Sequence, residues 1–180
     1  MIPPPIRPPY RVEPLGKHHD RAAFSCGVAL LDRYLHEAAG QDGRRGLARC
    51  FVLVHPEEPA RVLGYYTLSN AQIVRDSAPT KLRKTPYSAI PALLIGRLAV
   101  AEELQGRGWG SRLLLHALWH IDRISSESGF ALVLVDPIDD RAADFYRRFG
   151  FRPLPGSKRL YLLLKDLRQT LAALPRPQTD

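Results

Sequence analysis

The sequence predicts an α+β protein, an α/β sandwich with helices on both faces of one central sheet. Three observations carry this. Runs rich in β-formers are interspersed with stretches of 3.6-residue periodicity. Two apolar runs, residues 92–100 and 131–135, read as strands buried on both faces. Each predicted long helix is followed by a glycine, at Gly40, Gly129 or Gly150.

In chain order, residues 10–14 form a short first strand. A helix covers residues 28–39, capped by Ser25 or Gly27, with Leu30, Leu31, Tyr34, Leu35 and Ala38 on one face. Residues 47–54 and 61–69 make a hairpin turned by Pro56-Glu-Glu-Pro59. Residues 70–91 are irregular and basic, long for a plain connection, and read as a functional loop or a short helix. A buried strand over 92–100 leads through a turn into a helix running from Gly110 to about residue 127, with Leu114, Ala117, Leu118 and Ile121 on one face. Then come a strand over 131–135, a helix capped by Asp139 and running to 149, strands over 151–154 and 159–164, and a terminal helix over 165–174.

The 180 residues fit a domain at 10–168 between a proline-rich leader, 1–9, and a tail, 169–180. No apolar run reaches the length of a membrane span, and the leader lacks the apolar segment of an export signal, so a cytoplasmic protein is expected. Cys26 and Cys50 then read as reduced thiols. No Cys/His cluster has metal-ligand spacing. His18-His19 reads as a solvated turn, and no metal is expected. A net charge of +8 favours an anionic partner: nucleic acid, coenzyme phosphates or an acidic protein.

The chemistry concentrates where the buried strand meets the next helix. A helix start offers unpaired N–H groups and the positive end of the dipole, a ready anion site. Gly106, Gly108 and Gly110 would let the backbone approach a pyrophosphate, with Arg107 and Arg112 adding charge-assisted contacts. The turn lacks the Gly-Lys-Ser/Thr ending of a nucleotide P-loop, and it lies too far along the chain for the first βα unit of a dinucleotide fold.

Gln105-Gly-Arg-Gly-Trp-Gly110 resembles the Gln/Arg-x-x-Gly-x-Gly/Ala motif of the GNAT acetyltransferases, and the segment from Asp139 to Phe151 resembles their A-x-x-F-Y-x-x-x-G-F stretch. A narrower likeness is to the acetyltransferase toxins of bacterial toxin–antitoxin pairs. It is carried by Phe24-Ser-Cys-Gly27, Gly64-Tyr-Tyr-Thr-Leu68, Gly96-Arg-Leu-Ala-Val100 and the last strand, over residues 10–167. Ala101 stands where those proteins commonly have aspartate.

The resemblance implies a mixed, mostly antiparallel sheet of six to seven strands. It implies acetyl-CoA as co-substrate, held by Leu98, Ala99 and Val100 along the pantetheine and by Gln105, Gly106, Arg107, Gly108, Trp109, Gly110 and Ser111 around the pyrophosphate. It implies acetylation of the α-amino group of aminoacyl-tRNA, a ribbon-helix-helix antitoxin and a homodimer. Tyr146 falls at the position of the general acid, and is also readable as a core aromatic beside Phe145 and Phe149. Glu102 and Glu103 could act as a base through a water, or be solvated loop carboxylates. Arg44, Arg45, Arg75, Lys81, Arg83, Lys84 and Arg97 are candidates for tRNA phosphates, or for the docking of an acidic antitoxin tail. The alternatives are an N-acetyltransferase of a small amine or protein N-terminus, and a non-catalytic coenzyme- or nucleic-acid-binding module.

Overall fold

The computed structural model describes residues 4–174. Parts of the expected leader and tail, residues 1–3 and 175–180, lie outside the described residues. Seven strands, β1 (Arg11–Pro14), β2 (Arg49–Val54), β3 (Gly64–Val74), β4 (Ala89–Val100), β5 (Leu132–Val135), β6 (Arg152–Pro153) and β7 (Leu160–Leu163), form one sheet. Their order is β1, β2, β3, β4, β5, β7, β6. β4 and β5 are parallel, whereas β1/β2, β2/β3, β5/β7 and β6/β7 are antiparallel. The class is α+β with a mixed, mostly antiparallel sheet, as expected. Among the described residues no helix is long and apolar enough to cross a membrane.

The chain divides into two compact units, one holding the residues up to Leu68 with Arg97–Ala117, the other Ser69–Gly96 with Leu118–Leu174. The first has a core of Phe24, Tyr34, Leu35, Val52, Val54, Tyr65 and Ala99. Its buried phenols are satisfied: Tyr65 donates to the Leu31 carbonyl at 2.8 Å and Tyr34 to Asp42 at 2.9 Å. The second is built on Ile73, Ile90, Ala92, Leu132, Leu134 and Leu154. All four residues of β5 are buried, which is why its sequence lacks alternation.

The first helix does not end at Gly40. It runs as α1 (Ala29–Arg33), a π-helical turn (Tyr34–Ala38) and α2 (Ala39–Arg45). It stops at Gly46, which is left-handed at φ 73° and is followed by Leu47 N–H donating to the Asp42 carbonyl at 2.9 Å. Inside a helix a glycine costs only about 1 kcal/mol, and nothing forces Gly40 out of helical geometry. Neither Ser25 nor Gly27 caps this helix, since Val28 takes that position. Instead Asp32 reaches back to accept from the Cys26 amide at 2.8 Å.

Residues 70–91 are mostly strand rather than loop. β3 continues to Val74 and β4 begins at Ala89, with two short 3-10 turns, Arg75–Ser77 and Thr80–Leu82, between them. Polar Ser69, Asn70 and Gln72 interrupt the apolar run that would have revealed the extension. α3 (Trp109–Ile124) buries Leu113 and Leu115 as fully as Leu114, Leu118 and Ile121, an arc wider than the single face expected. α4 (Asp140–Arg147) is capped as predicted, with Asp139 accepting from the Ala142 amide at 2.7 Å. α5 (Leu164–Ala172) ends the described fold.

Candidate active site

The site begins where β4 ends. β4 pairs with β5 from Ala92 opposite Leu132 to Ile95 opposite Val135, and β4 itself runs on to Val100. At its far end β3 lies very close. A Cβ on Gly64 would stand 3.0 Å from the Ala99 carbonyl oxygen, and the Ala101 amide donates to the Leu63 carbonyl at 2.9 Å. A side chain on Gly64 would crowd that main chain, so the glycine of the G-Y-Y-T-L pattern answers a close approach of the strands.

A 3-10 turn (Glu102–Leu104) then delivers the chain to the glycine turn. Gly106 and Gly108 are left-handed at φ 72° and 79°, and a Cβ on either would meet nothing within 4 Å. The two glycines are therefore required by backbone conformation, while the space outside them is open. Gly110 is different: it sits inside the first turn of α3 without a positive φ. The third glycine of the motif thus does not shape the turn. Gln105 ties the turn down, its side-chain amide donating to the carbonyls of Cys26 at 2.8 Å and Val100 at 3.0 Å. Helical hydrogen bonding follows with Arg112 N–H donating to the Gly108 carbonyl at 3.1 Å, and amides before it have no partner within the helix. Trp109 offers its main chain alone, because its indole is buried against Tyr10 with ring centroids 4.5 Å apart. Arg107 is exposed and Ser111 half-buried. The Arg112 guanidinium lies 5.0 Å from the Trp109 ring centre, and its buried Nε has no hydrogen-bond partner. A buried, unpaired, charged donor is costly, and at this helix start an anion would satisfy it. These features fit a coenzyme pyrophosphate.

In the second unit, α4 carries Tyr146, buried edge-on between Phe145 and Phe151 at 5.2 and 5.6 Å. Among the described residues its hydroxyl makes no hydrogen bond. Burial, and then the carboxylate of Asp136, push its pKa above the ordinary phenol value. Asp136 is itself gripped by the Arg159 fork at 2.6 and 2.9 Å. This pair is 23 residues apart in the chain and no local pattern announces it. Tyr146 is thus both core aromatic and a proton holder at neutral pH.

Glu102 accepts from the Ser25 hydroxyl at 2.6 Å, and Glu103 pairs with Arg61 at 2.7 Å. Both line a surface cavity of about 590 Å³ with Asp20, Glu58 and Phe24. They are solvated loop carboxylates with partners, which favours that reading over a base. The basic candidates divide between the two units. Arg44, Arg45 and Arg97 belong to the first unit and Arg75, Lys81, Arg83 and Lys84 to the second. Arg97 is half-buried, its guanidinium 3.5 Å from the centre of the Tyr34 ring. Arg75 pairs with Asp76, and Arg83 donates to the Ala78 carbonyl.

Both cysteines are free and buried. Burial first of all pushes each thiol up to about 12, so neither is a nucleophile. The histidine pair departs from expectation. His19 is buried rather than solvated, with its Nδ1 accepting from the Gly16 amide at 2.8 Å and its Nε2 3.0 Å from Glu13. His18 shares the same carboxylate oxygen at 3.3 Å. Because Nδ1 of His19 accepts a main-chain proton, Nε2 keeps its own and donates it to Glu13. A metal ion would need that nitrogen bare, so the trio is a hydrogen-bonded clasp of the turn. Burial raises the Glu13 pKa, but hydrogen bonds from Arg11, His18 and His19 outweigh it and leave the carboxyl below its ordinary value.

A left-handed glycine turn opening a helix at the end of a central strand is the coenzyme-binding arrangement of an acetyltransferase. Residues 48–153 match the Acetyltransferase (GNAT) domain, and the chain belongs to that family. It is 35% identical over 150 residues, 83% of this chain and 89% of the relative, to the tRNA-acetylating toxin of Mycobacterium tuberculosis (strain ATCC 25618 / H37Rv). Among solved structures it superposes on AtaT complexed with acetyl-methionyl-tRNAfMet with a TM-score of 0.82, at 30% identity over 90% of this chain and 99% of that one. It also superposes on a mutant AtaT toxin bound to the C-terminus of the antitoxin AtaR and acetyl-CoA, with a TM-score of 0.77, at 27% identity over 90% of this chain and 98% of that one.

Proposed function

We propose that this chain is an acetyl-CoA-dependent N-acetyltransferase that acetylates the α-amino group of aminoacyl-tRNA, acting in the cytoplasm as a translation-blocking toxin. The open left-handed turn at Gly106 and Gly108 carries the reading, supported by likeness to a tRNA-acetylating toxin over five-sixths of the chain. Leu98, Ala99 and Val100 would hold the pantetheine arm by main-chain groups. The amides from Gly106 to Ser111 with Arg107 and Arg112 would hold the pyrophosphate, and Gln105 keeps the turn in place. When bound, the coenzyme supplies an acetyl group activated as a thioester. Tyr146 keeps its proton because burial disfavours the phenolate, and it is the donor for the departing sulfur. The attacking amine needs no strong base: an α-amino group has an ordinary pKa near 8, and esterification lowers it. A homodimer held in check by a ribbon-helix-helix antitoxin completes the proposal.

The test is radiolabelled acetyl transfer to a mixed pool of charged tRNA. Wild-type protein should label it and stop cell-free translation. Tyr146→Phe, which removes the donor and keeps the ring, should lower kcat by about 10²–10⁴ while acetyl-CoA binding stays within a factor of about three. Labelling of a small amine or a protein N-terminus, with translation untouched, would reject the tRNA substrate. Full turnover by Tyr146→Phe would reject the acid.

A further inference from the structure

The first unit holds a second anion-facing feature, built from residues that do not belong to the glycine turn. A cavity of about 810 Å³ is lined by four cations, Lys17, Arg21, Arg44 and Arg49, with no carboxylate in its wall. Two glycines of α2, Gly40 and Gly43, remove side chains from its helical side, and Phe51 lies among its apolar residues. The arginines are not scattered. The Cβ position of Gly40 is 2.8 Å from Nη1 of Arg21 and 3.5 Å from Nη1 of Arg44, so both guanidinia converge on one point over a bare stretch of helix. Among the described residues neither side chain has a hydrogen bond or an ion pair. Three acids of this unit are engaged elsewhere: Asp42 accepts from Tyr34, Glu13 from the histidine clasp, and Asp20 from the Ala23 amide.

Two unpaired like charges converging on one point repel, and the arrangement is favourable once an anion sits between them. A phosphodiester suits this better than a peptide carboxylate. Its two unesterified oxygens can each take one guanidinium, and the absent Cβ of Gly40 is what lets the Arg21 guanidinium lie against the helix beside that of Arg44. Lys17 and Arg49 then flank it for neighbouring phosphates, Arg49 being steadied by one hydrogen bond from Nη1 to the Gly43 carbonyl at 3.1 Å, which leaves its other N–H groups to donate.

We propose that this pocket is a phosphate-backbone subsite for the RNA substrate, with Arg21 and Arg44 jointly gripping one phosphate and Lys17 and Arg49 flanking it. It rests on the aminoacyl-tRNA reading above and extends it to a place on the molecule. Of the four residues, only Arg44 was a candidate from sequence.

The experiment compares wild type with Arg21→Gln/Arg44→Gln and with Gly40→Ala, which keeps every charge but fills the convergence point. Binding of uncharged tRNA is followed by fluorescence anisotropy between 50 and 200 mM salt, beside KM values for charged tRNA and acetyl-CoA. For the double variant we expect tRNA binding to weaken about tenfold or more, its log–log salt slope to fall by about one to two, and KM for acetyl-CoA to hold. Gly40→Ala should weaken tRNA binding about threefold with its thermal midpoint intact. Unchanged tRNA affinity and slope in both variants, in an enzyme that acetylates charged tRNA, would overturn the subsite. So would unchanged tRNA binding with lost binding of an acidic antitoxin peptide, which would give the pocket to a protein. A wild type that binds tRNA through these arginines yet leaves charged tRNA unacetylated would uphold the subsite and sink the activity instead.

Discussion

The two anion sites proposed in the first unit are built on opposite principles. The turn at Gly106 and Gly108 presents main-chain amides, and glycine there is a backbone requirement at φ 72° and 79°. The pocket over Gly40 presents side-chain guanidinia, and glycine there is an absence of bulk in ordinary helix. The first device fixes donors that cannot rotate away, which suits a small ligand that must be placed to a fraction of an ångström. The second gathers long flexible cations, which suits a polymer held by charge and sensitive to salt. The same residue type serves both, so a glycine count alone says nothing about which is present.

Substitutions can break that contrast. The largest effect should come from Gly108→Val, which forces a β-branched residue into a left-handed backbone at a cost of about 1–3 kcal/mol. Acetyl-CoA affinity by calorimetry should fall between ten- and a hundredfold, with tRNA binding retained. Equal losses for both ligands would show that the two regions are one. A smaller change is expected for Gln105→Ala, which deletes two hydrogen bonds worth about 1 kcal/mol each and loosens the turn without altering its glycines. KM for acetyl-CoA should rise about three- to tenfold with kcat nearly kept.

The least effect on either region should follow His120→Gln, a control in the second unit. Burial lowers the His120 pKa to about 4 from an ordinary 6.5. Between those values the unfolded chain binds a proton that the folded chain refuses, so stability is lost as pH falls through this window. Thermal midpoints at pH 7 and pH 5 should lie closer together in the variant than in wild type, with both ligands bound normally at pH 7.

The contrast also explains what the sequence could reveal. The turn is local: Gln105, Gly106 and Gly108 are neighbours in the chain, and a strand before and a helix after complete the signal. Tyr146 was legible for the same reason, lying in one segment between the Asp139 cap and Gly150. The pocket is not local. Lys17 and Arg21 precede the first helix, Arg44 is near its end and Arg49 opens β2, so no window of sequence contains the convergence. Arg159, which fixes Asp136 beside the phenol's field, was hidden in the same way. Errors in the elements had a related cause. Gly40 looked like a helix stop because a period of 3.6 cannot register a π turn, and the outer half of β3 looked irregular because its side chains are polar.

That π turn has a reach beyond its five residues. A π turn fits one extra residue into a helical ladder, so everything downstream sits about 100° around the axis from where an unbroken α-helix of the same residues would put it. The turn from Tyr34 to Ala38 therefore sets the azimuth at which Gly40, Gly43 and Arg44 emerge. Tightening it to an unbroken α-helix, with no residue removed, would leave every arginine in the chain. Yet it would rotate Arg44 out of step with Arg21, disarming the pocket by phase alone.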